Sequence, residues 1–279
     1  MAATLNIVGA GHVGRVLGRL FAARAVFAVQ DVRTRAIDSA RAAVAFIGAG
    51  QALAPADVPR AADAWMLAVS DDAIGAAAAA LAATAGPAMR GAVVFHCSGA
   101  KTSGELAALR DAGAHVASVH PVRSFADPAT VAERFDGTFC GVEGDAAALA
   151  LLVPAFEAIG ARPVRIDAAA KTVYHAASVF ASNYLVTVLD AALRAYEAAG
   201  VPPEVARELA RPLAGESLAN VFRLGPEAAL SGPIARGDAA TVARQQAAVG
   251  AWDGPTGALY EALATATWDL ARRKRERGA

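Results

Sequence analysis

Apolar and polar positions follow two regimes along this chain. Through about residue 166, short apolar runs alternate with stretches of helical period. Residues 5–8, 26–32, 65–69, 92–97, 115–119, 139–142 and 162–166 read as strands, and helices are predicted from Arg15, after Arg35, and from Asp72, Ser103 and Asp145. Such alternation predicts an α/β, doubly wound, mainly parallel sheet. Beyond Asp167 no strand pattern survives. Residues 168–199 form one long helical candidate closed by Gly200-Val201-Pro202-Pro203, with further helices over about 203–222, 238–249 and 255–275. The predicted division is an α/β domain over 1–167 and an all-α domain over 168–279.

The opening strand runs directly into Gly9-Ala10-Gly11-His12-Val13-Gly14 and then into an amphipathic helix. Gly-x-Gly-x-x-Gly between a strand and a helix is a dinucleotide-binding pattern. Gly9 permits the tight turn, Gly11 lets backbone approach a pyrophosphate, and Gly14 lets the helix pack close to the strand. The helix N-terminal amides, from His12 and Val13 onward, face the anion. The end of the second strand selects the dinucleotide. An acid there binds a ribose 2′-OH, whereas arginine accommodates a 2′-phosphate. Asp31 is a candidate acid, but Arg33, Thr34 and Arg35 lie closer to the expected offset, so NADP(H) is the expected cofactor.

Composition narrows the class. The 279 residues are 56% hydrophobic, enough for a sizeable core, and alanine-rich runs such as residues 75–80 read as helix filler. Lys and Arg total 26 against 26 Asp and Glu, which points to neither nucleic acid nor an anionic membrane. A strand beginning by Leu5 leaves no room for a signal peptide. No apolar run resembles a membrane span outside the amphipathic or alanine-rich helices. Two cysteines, Cys97 and Cys140, suit a reducing cytoplasm without disulfides. No metal site is expected.

Ligands of open α/β sheets bind beyond the carboxyl ends of the strands. Val69 and Ser70 end one strand there, followed by Asp71 and Asp72, which read as helix N-caps. Ser98 and Gly99 end the next and are expected near the nicotinamide, while Cys97 reads as a small buried thiol. His120 ends a third, as a candidate for the cleft or as a structural histidine bonded to a loop carbonyl. Lys171, His175, Ser178 and Ser182 are spaced four, three and four, a polar stripe on an otherwise apolar helix, with Asn183 at its edge. Asp238 is a candidate cap for the helix after it, whereas Arg236 has no capping role.

Gly9 to Gly14, Ser98-Gly99-Ala100, Ser118-Val119-His120-Pro121, Tyr174-His175-Ala176-Ala177 with Ser182-Asn183, and residues 232–238 with Thr241 together resemble the Rossmann-like proteins carrying the DUF2520 domain, over essentially the whole chain. That group is similar to pyrroline-5-carboxylate reductase and, more distantly, to the 6-phosphogluconate and β-hydroxyacid dehydrogenases. The resemblance implies NADP(H), a helical C-terminal domain and a homodimer. In the dehydrogenases a lysine, and an asparagine one helical turn later, hold and protonate the substrate oxygen. Lys171 matches that lysine, and His175 stands in place of the asparagine. The expectation is an oxidoreductase moving hydride to or from a small carbonyl, hydroxy acid or imine, with Lys171, His175 or His120 as proton donor. The alternatives are an NADP(H)-binding sensor without turnover and a structural dimer with a vestigial glycine motif.

Overall fold

The computed structural model describes residues 2–278, in two compact units that separate between Val179 and Phe180. The N-terminal unit is built on eight strands: β1 (Ala3–Val8), β2 (Phe27–Arg33), β3 (Gln51–Leu53), β4 (Ala64–Leu67), β5 (Val93–His96), β6 (His115–Pro121), β7 (Phe139–Gly144) and β8 (Arg162–Arg165). They form one sheet in the order β3-β2-β1-β4-β5-β6-β7-β8. Every neighbouring pair is parallel except β6–β7, which is antiparallel and sets Ser118 opposite Glu143 and His120 opposite Gly141.

Helices cover both faces, so the central strands are apolar on both sides instead of alternating. On one face α1 (His12–Ala23), α2 (Ile37–Ile47), α5 (Pro128–Glu133) and α6 (Ala146–Ala158) close over Ile7, Met66, Phe95 and Val119. Phe156 on α6 meets Phe21 and Phe95 edge to face at 5.3 and 5.9 Å. On the other face α3 (Ile74–Ala85) and α4 (Ala107–Asp111) pack Ile74, Leu81 and Leu109 against Trp65, Leu67 and Val94. The strand that the hydrophobic pattern leaves out is β3. At three residues on a sheet edge it has no room to show a period. A short helix, α7 (Lys171–Val179), ends the unit.

The C-terminal unit opens on a π-helical turn, Phe180–Tyr184, and contains α8 (Leu185–Ala198), α9 (Pro203–Leu224), α10 (Pro226–Ala229), α11 (Gly232–Arg236), α12 (Ala239–Trp252) and α13 (Gly254–Gly278). α8 packs on α9 and α12 on α13. Gly257 lies so close to α12 that a Cβ on it would stand 2.6 Å from Gly250 Cα. Asp238 caps α12, accepting the Thr241 amide at 3.0 Å. Much apolar surface on these helices is uncovered in one copy, including Val186, Leu213 and Phe222, the last 87% exposed.

Two helical runs, Asp71–Met89 and Ala168–Ala198, are long and apolar enough to cross a membrane. In the former Ile74, Ala78 and Leu81 are buried; the latter carries Lys171, which is also buried.

Candidate functional site

The turn from β1 into α1 supplies a cradle. Gly9 has φ +82°, a left-handed conformation that favours glycine, and a Cβ there would stand 2.7 Å from the Ala68 carbonyl oxygen. A Cβ on Gly14 would meet Ala68 Cβ, also at 2.7 Å, so both glycines let the loop press against the end of β4. Gly11 differs: a Cβ there would enter open space. α1 has no side-chain cap and no acid in its first turn, which leaves its N-terminal amides free for an anion. Gly11, His12, Val13, Val69, Ser70, Asp71, Cys97 and Ser98 contribute to the walls of the adjoining cleft, whose empty volume is ≈ 580 Å³. These residues fit a dinucleotide, Gly11 being the point at which the backbone can be approached without a Cβ in the way.

The end of β2 lies against the same loop, because the Gly9 amide donates to the Arg33 carbonyl at 2.8 Å. Thr34 and Arg35 follow at once, Arg35 exposed. Arg33 donates from its guanidinium to the Asp57 carbonyl at 3.2 Å, and the Thr34 hydroxyl to the Ala36 carbonyl at 2.7 Å. Asp31, the competing candidate for the ribose, is 1% exposed and holds Arg60 at 2.6 Å, so its carboxylate is committed to the fold. His12 Nδ1 donates to the Phe125 carbonyl at 2.6 Å, tying the loop after β6 to the glycine turn.

Beyond β5 and β6 a second polar group forms. Ser98 donates from Oγ to the Asp71 carboxylate at 2.7 Å. The expected N-cap role of Asp71 is thus replaced by this bond, and the short 3₁₀ turn Asp71–Ala73 has no side-chain cap. Ser98 also donates its amide to His96 Nδ1 at 3.2 Å, and His96 Nε2 donates to the Thr102 carbonyl at 2.9 Å. That pattern fixes His96 as a neutral Nε2–H imidazole, in line with the downward pull of burial on its pKa. Lys171 is fully buried, with its ammonium on Ser118 Oγ and 3.0 Å from Glu143 Oε1. Glu143, 5% exposed, also accepts the Ser103 amide and hydroxyl, each at 2.8 Å. Burial lowers the Lys171 pKa, and the carboxylate opposes that shift.

Gly99 is the floor on which two histidines meet. A Cβ on it would stand 2.7 Å from His120 Nε2 and closer still to His175 Nδ1. The rings of His120 and His175 are 5.6 Å apart, centroid to centroid. His120 Nδ1 contacts the Tyr174 hydroxyl at 3.1 Å, and Gly141 makes room for that phenol, since a Cβ there would stand 2.7 Å from Tyr174 Cζ. Burial, with the nearby His175 and Lys171, pushes the His120 pKa down to about 4. Burial pushes the Tyr174 phenol up. At neutral pH both groups are therefore uncharged.

Residues 2–121 match the model of a Rossmann-like domain, and residues 138–267 that of a domain of unknown function, DUF2520. The chain carries both domains. Among solved structures it is similar to a protein from Thermotoga maritima, at 27% identity and a TM-score of 0.75, covering 98% of this chain and 100% of that one. It also resembles a pyrroline-5-carboxylate reductase from Coxiella burnetii (14% identity, TM-score 0.59, 99% and 98% covered). An imine reductase variant from Myxococcus stipitatus, in complex with NAD+, matches at 16% identity and a TM-score of 0.59, with 100% and 95% covered. These last two show a shared fold. No curated protein matches the sequence.

The histidine cluster joins the two matched regions: Gly99 and His120 come from the Rossmann-like domain, and Tyr174 and His175 from the stretch matched by DUF2520. Of the residues expected in the site, Gly11, His12, Val13, Val69, Ser70 and Ser98 share the cleft, with Gly9 and Gly14 beneath it. Lys171 presents no free ammonium, being enclosed with Glu143 and Ser118. Ser182 and Asn183 lie in the π-helical turn of the C-terminal unit, where the α-helical spacing of the stripe lapses. Sequence reasoning missed Glu143, whose one available signal is an acid in an otherwise apolar strand, and the bond from Ser98 to Asp71.

Proposed function

We propose that the chain is an NADP(H)-dependent oxidoreductase that transfers hydride to or from a small carbonyl, hydroxy acid or imine carbon, with His175 as the proton donor. One observation carries this reading: His120 and His175 converge on Gly99, next to the cleft-lining Ser98. The dinucleotide, when bound, supplies the hydride chemistry. Gly9, Gly11 and Gly14 bring backbone amides to the pyrophosphate, and Arg33, Thr34 and Arg35 take the 2′-phosphate. As hydride reaches carbon, negative charge develops on the neighbouring oxygen or nitrogen, and a proton from His175 neutralises it. Lys171 holds Ser118 and Glu143 in place and is not the acid. A sensor without turnover draws support from the same enclosed lysine. We also propose a cytoplasmic homodimer that covers the apolar helices of the C-terminal unit, since Phe222, Leu213 and Val186 lie open in one copy.

The test is NADPH oxidation across a panel of keto acids, aldehydes and cyclic imines. Turnover is expected, and His175→Ala lowers its rate by about 10²–10⁴ while NADPH affinity stays within about twofold. Turnover retained in full by that variant refutes His175 as donor. NADPH binding without turnover on any substrate selects the sensor.

A further inference from the structure

Among the described residues, one buried side-chain polar atom has no hydrogen-bond partner: His175 Nδ1. A buried ring nitrogen left unpaired is costly, on the order of 1–3 kcal/mol, so a polar group facing the same space is its natural partner. His120 Nε2 faces the same point above Gly99, with no hydrogen bond between the two nitrogens in this structure. The other end of the His120 ring is fixed. Tyr174 Oη lies 3.1 Å from His120 Nδ1, the one hydrogen-bond partner of the phenol among the described residues, so the phenol's own proton goes to the histidine. With Tyr174 donating, His120 Nδ1 is an acceptor and its single proton sits on Nε2. That N–H faces the space above Gly99 that His175 Nδ1 also borders.

We infer that Tyr174 and His120 are positioning residues that lock His175 in the Nε2–H form, so that its accessible nitrogen is always a donor. The inference rests on the reading of His175 as proton donor and extends it to two residues that touch no reacting atom. Neutral His120 and a protonated phenol are both required, and burial favours both. Gly141 is part of the device, because any Cβ there displaces the phenol. Gly99 is too, because a Cβ there separates the two imidazoles.

Long-range nitrogen–proton NMR on the full-length protein labelled at histidine tests this near pH 7.5. In the native protein His120 and His175 are each expected as single Nε2–H tautomers. In Tyr174→Phe both lose that purity and become mixtures, while His96, held by Thr102 and Ser98, keeps its own tautomer as an internal control. Gly141→Ala is expected to reproduce the mixture by unseating the phenol. His175 protonated on Nδ1 in the native protein overturns the inference. So do unchanged His120 and His175 tautomers in Tyr174→Phe. The readout needs neither cofactor nor substrate, so a chain that locks its tautomers but never turns over ends the catalytic reading alone.

Discussion

Replacing Lys171 with methionine removes one partner of a closed ion pair and keeps nearly all of the side chain's volume. Lys171 and Glu143 are 0% and 5% exposed and 3.0 Å apart, so solvent screens neither charge. Breaking such a pair from one side costs about 3–5 kcal/mol, because the remaining charge stays buried without its counter-ion. Glu143 retains two bonds from Ser103, both 2.8 Å, which puts the expected loss near the lower end, about 3 kcal/mol. For a unit of this size that corresponds to a fall in Tm of about 6–12 °C. The double variant Lys171→Met/Glu143→Gln removes both charges, and glutamine still accepts from the Ser103 amide and donates to its hydroxyl. Its stability is expected within about 1 kcal/mol of the native protein, whereas Glu143→Gln alone strands the buried ammonium and also costs about 3 kcal/mol, so the double variant is more stable than either single. Urea unfolding followed by circular dichroism measures all three. A loss under about 1 kcal/mol for Lys171→Met, or a double variant no better than the sum of its singles, refutes the picture of a sealed pair.

Replacing Arg33 and Arg35 together by alanine is expected to weaken NADPH by about 1–3 kcal/mol while leaving NADH nearly unchanged, by calorimetry; equal losses contradict a 2′-phosphate site. His120 titrates at about 4 in the folded chain against 6.5 unfolded, so the unfolded state binds the extra proton and stability falls as pH drops through that window. The fall amounts to about 3 kcal/mol, and His120→Asn removes that part of the slope; a variant with the native pH profile of unfolding contradicts the assignment. Phe222→Glu places a charge on the most exposed of the large apolar side chains among the described residues, and light scattering is expected to show a native dimer of 28.2 kDa chains and a monomeric variant. A native monomer at micromolar concentration refutes the dimer.

The glycine turn is legible in the sequence because all its parts are local: a strand, three glycines and a helix within twenty-one residues. The same holds for the long helices, whose period repeats over many turns. The rest of the site is not local. Ser118 meets Lys171 and Glu143 because β6 and β7 run antiparallel in one register, and a shift of one residue in that register moves Glu143 to the other face of the sheet. No spacing along the chain encodes that pairing. Asp31 illustrates the converse: its offset from the glycines resembles that of a ribose-binding acid, yet Arg60, twenty-nine residues away, claims it. The polar stripe from Lys171 is similarly divided by what it meets, with one member in an ion pair and the next against a glycine.

The three glycines of the turn answer to different constraints. Gly9 and Gly14 are held by the fold itself, since neighbouring atoms already occupy the space a methyl group needs. Gly11 has φ −66° and ψ −168°, a conformation open to any residue, with nothing near its missing Cβ. Alanine there leaves folding almost untouched, so a screen that scores only expression or thermal resistance passes Gly11→Ala without notice. A screen for dinucleotide retention is expected to reject it. Applied to a library at these three positions, the two screens together separate what this loop owes to its own architecture from what it owes to its ligand.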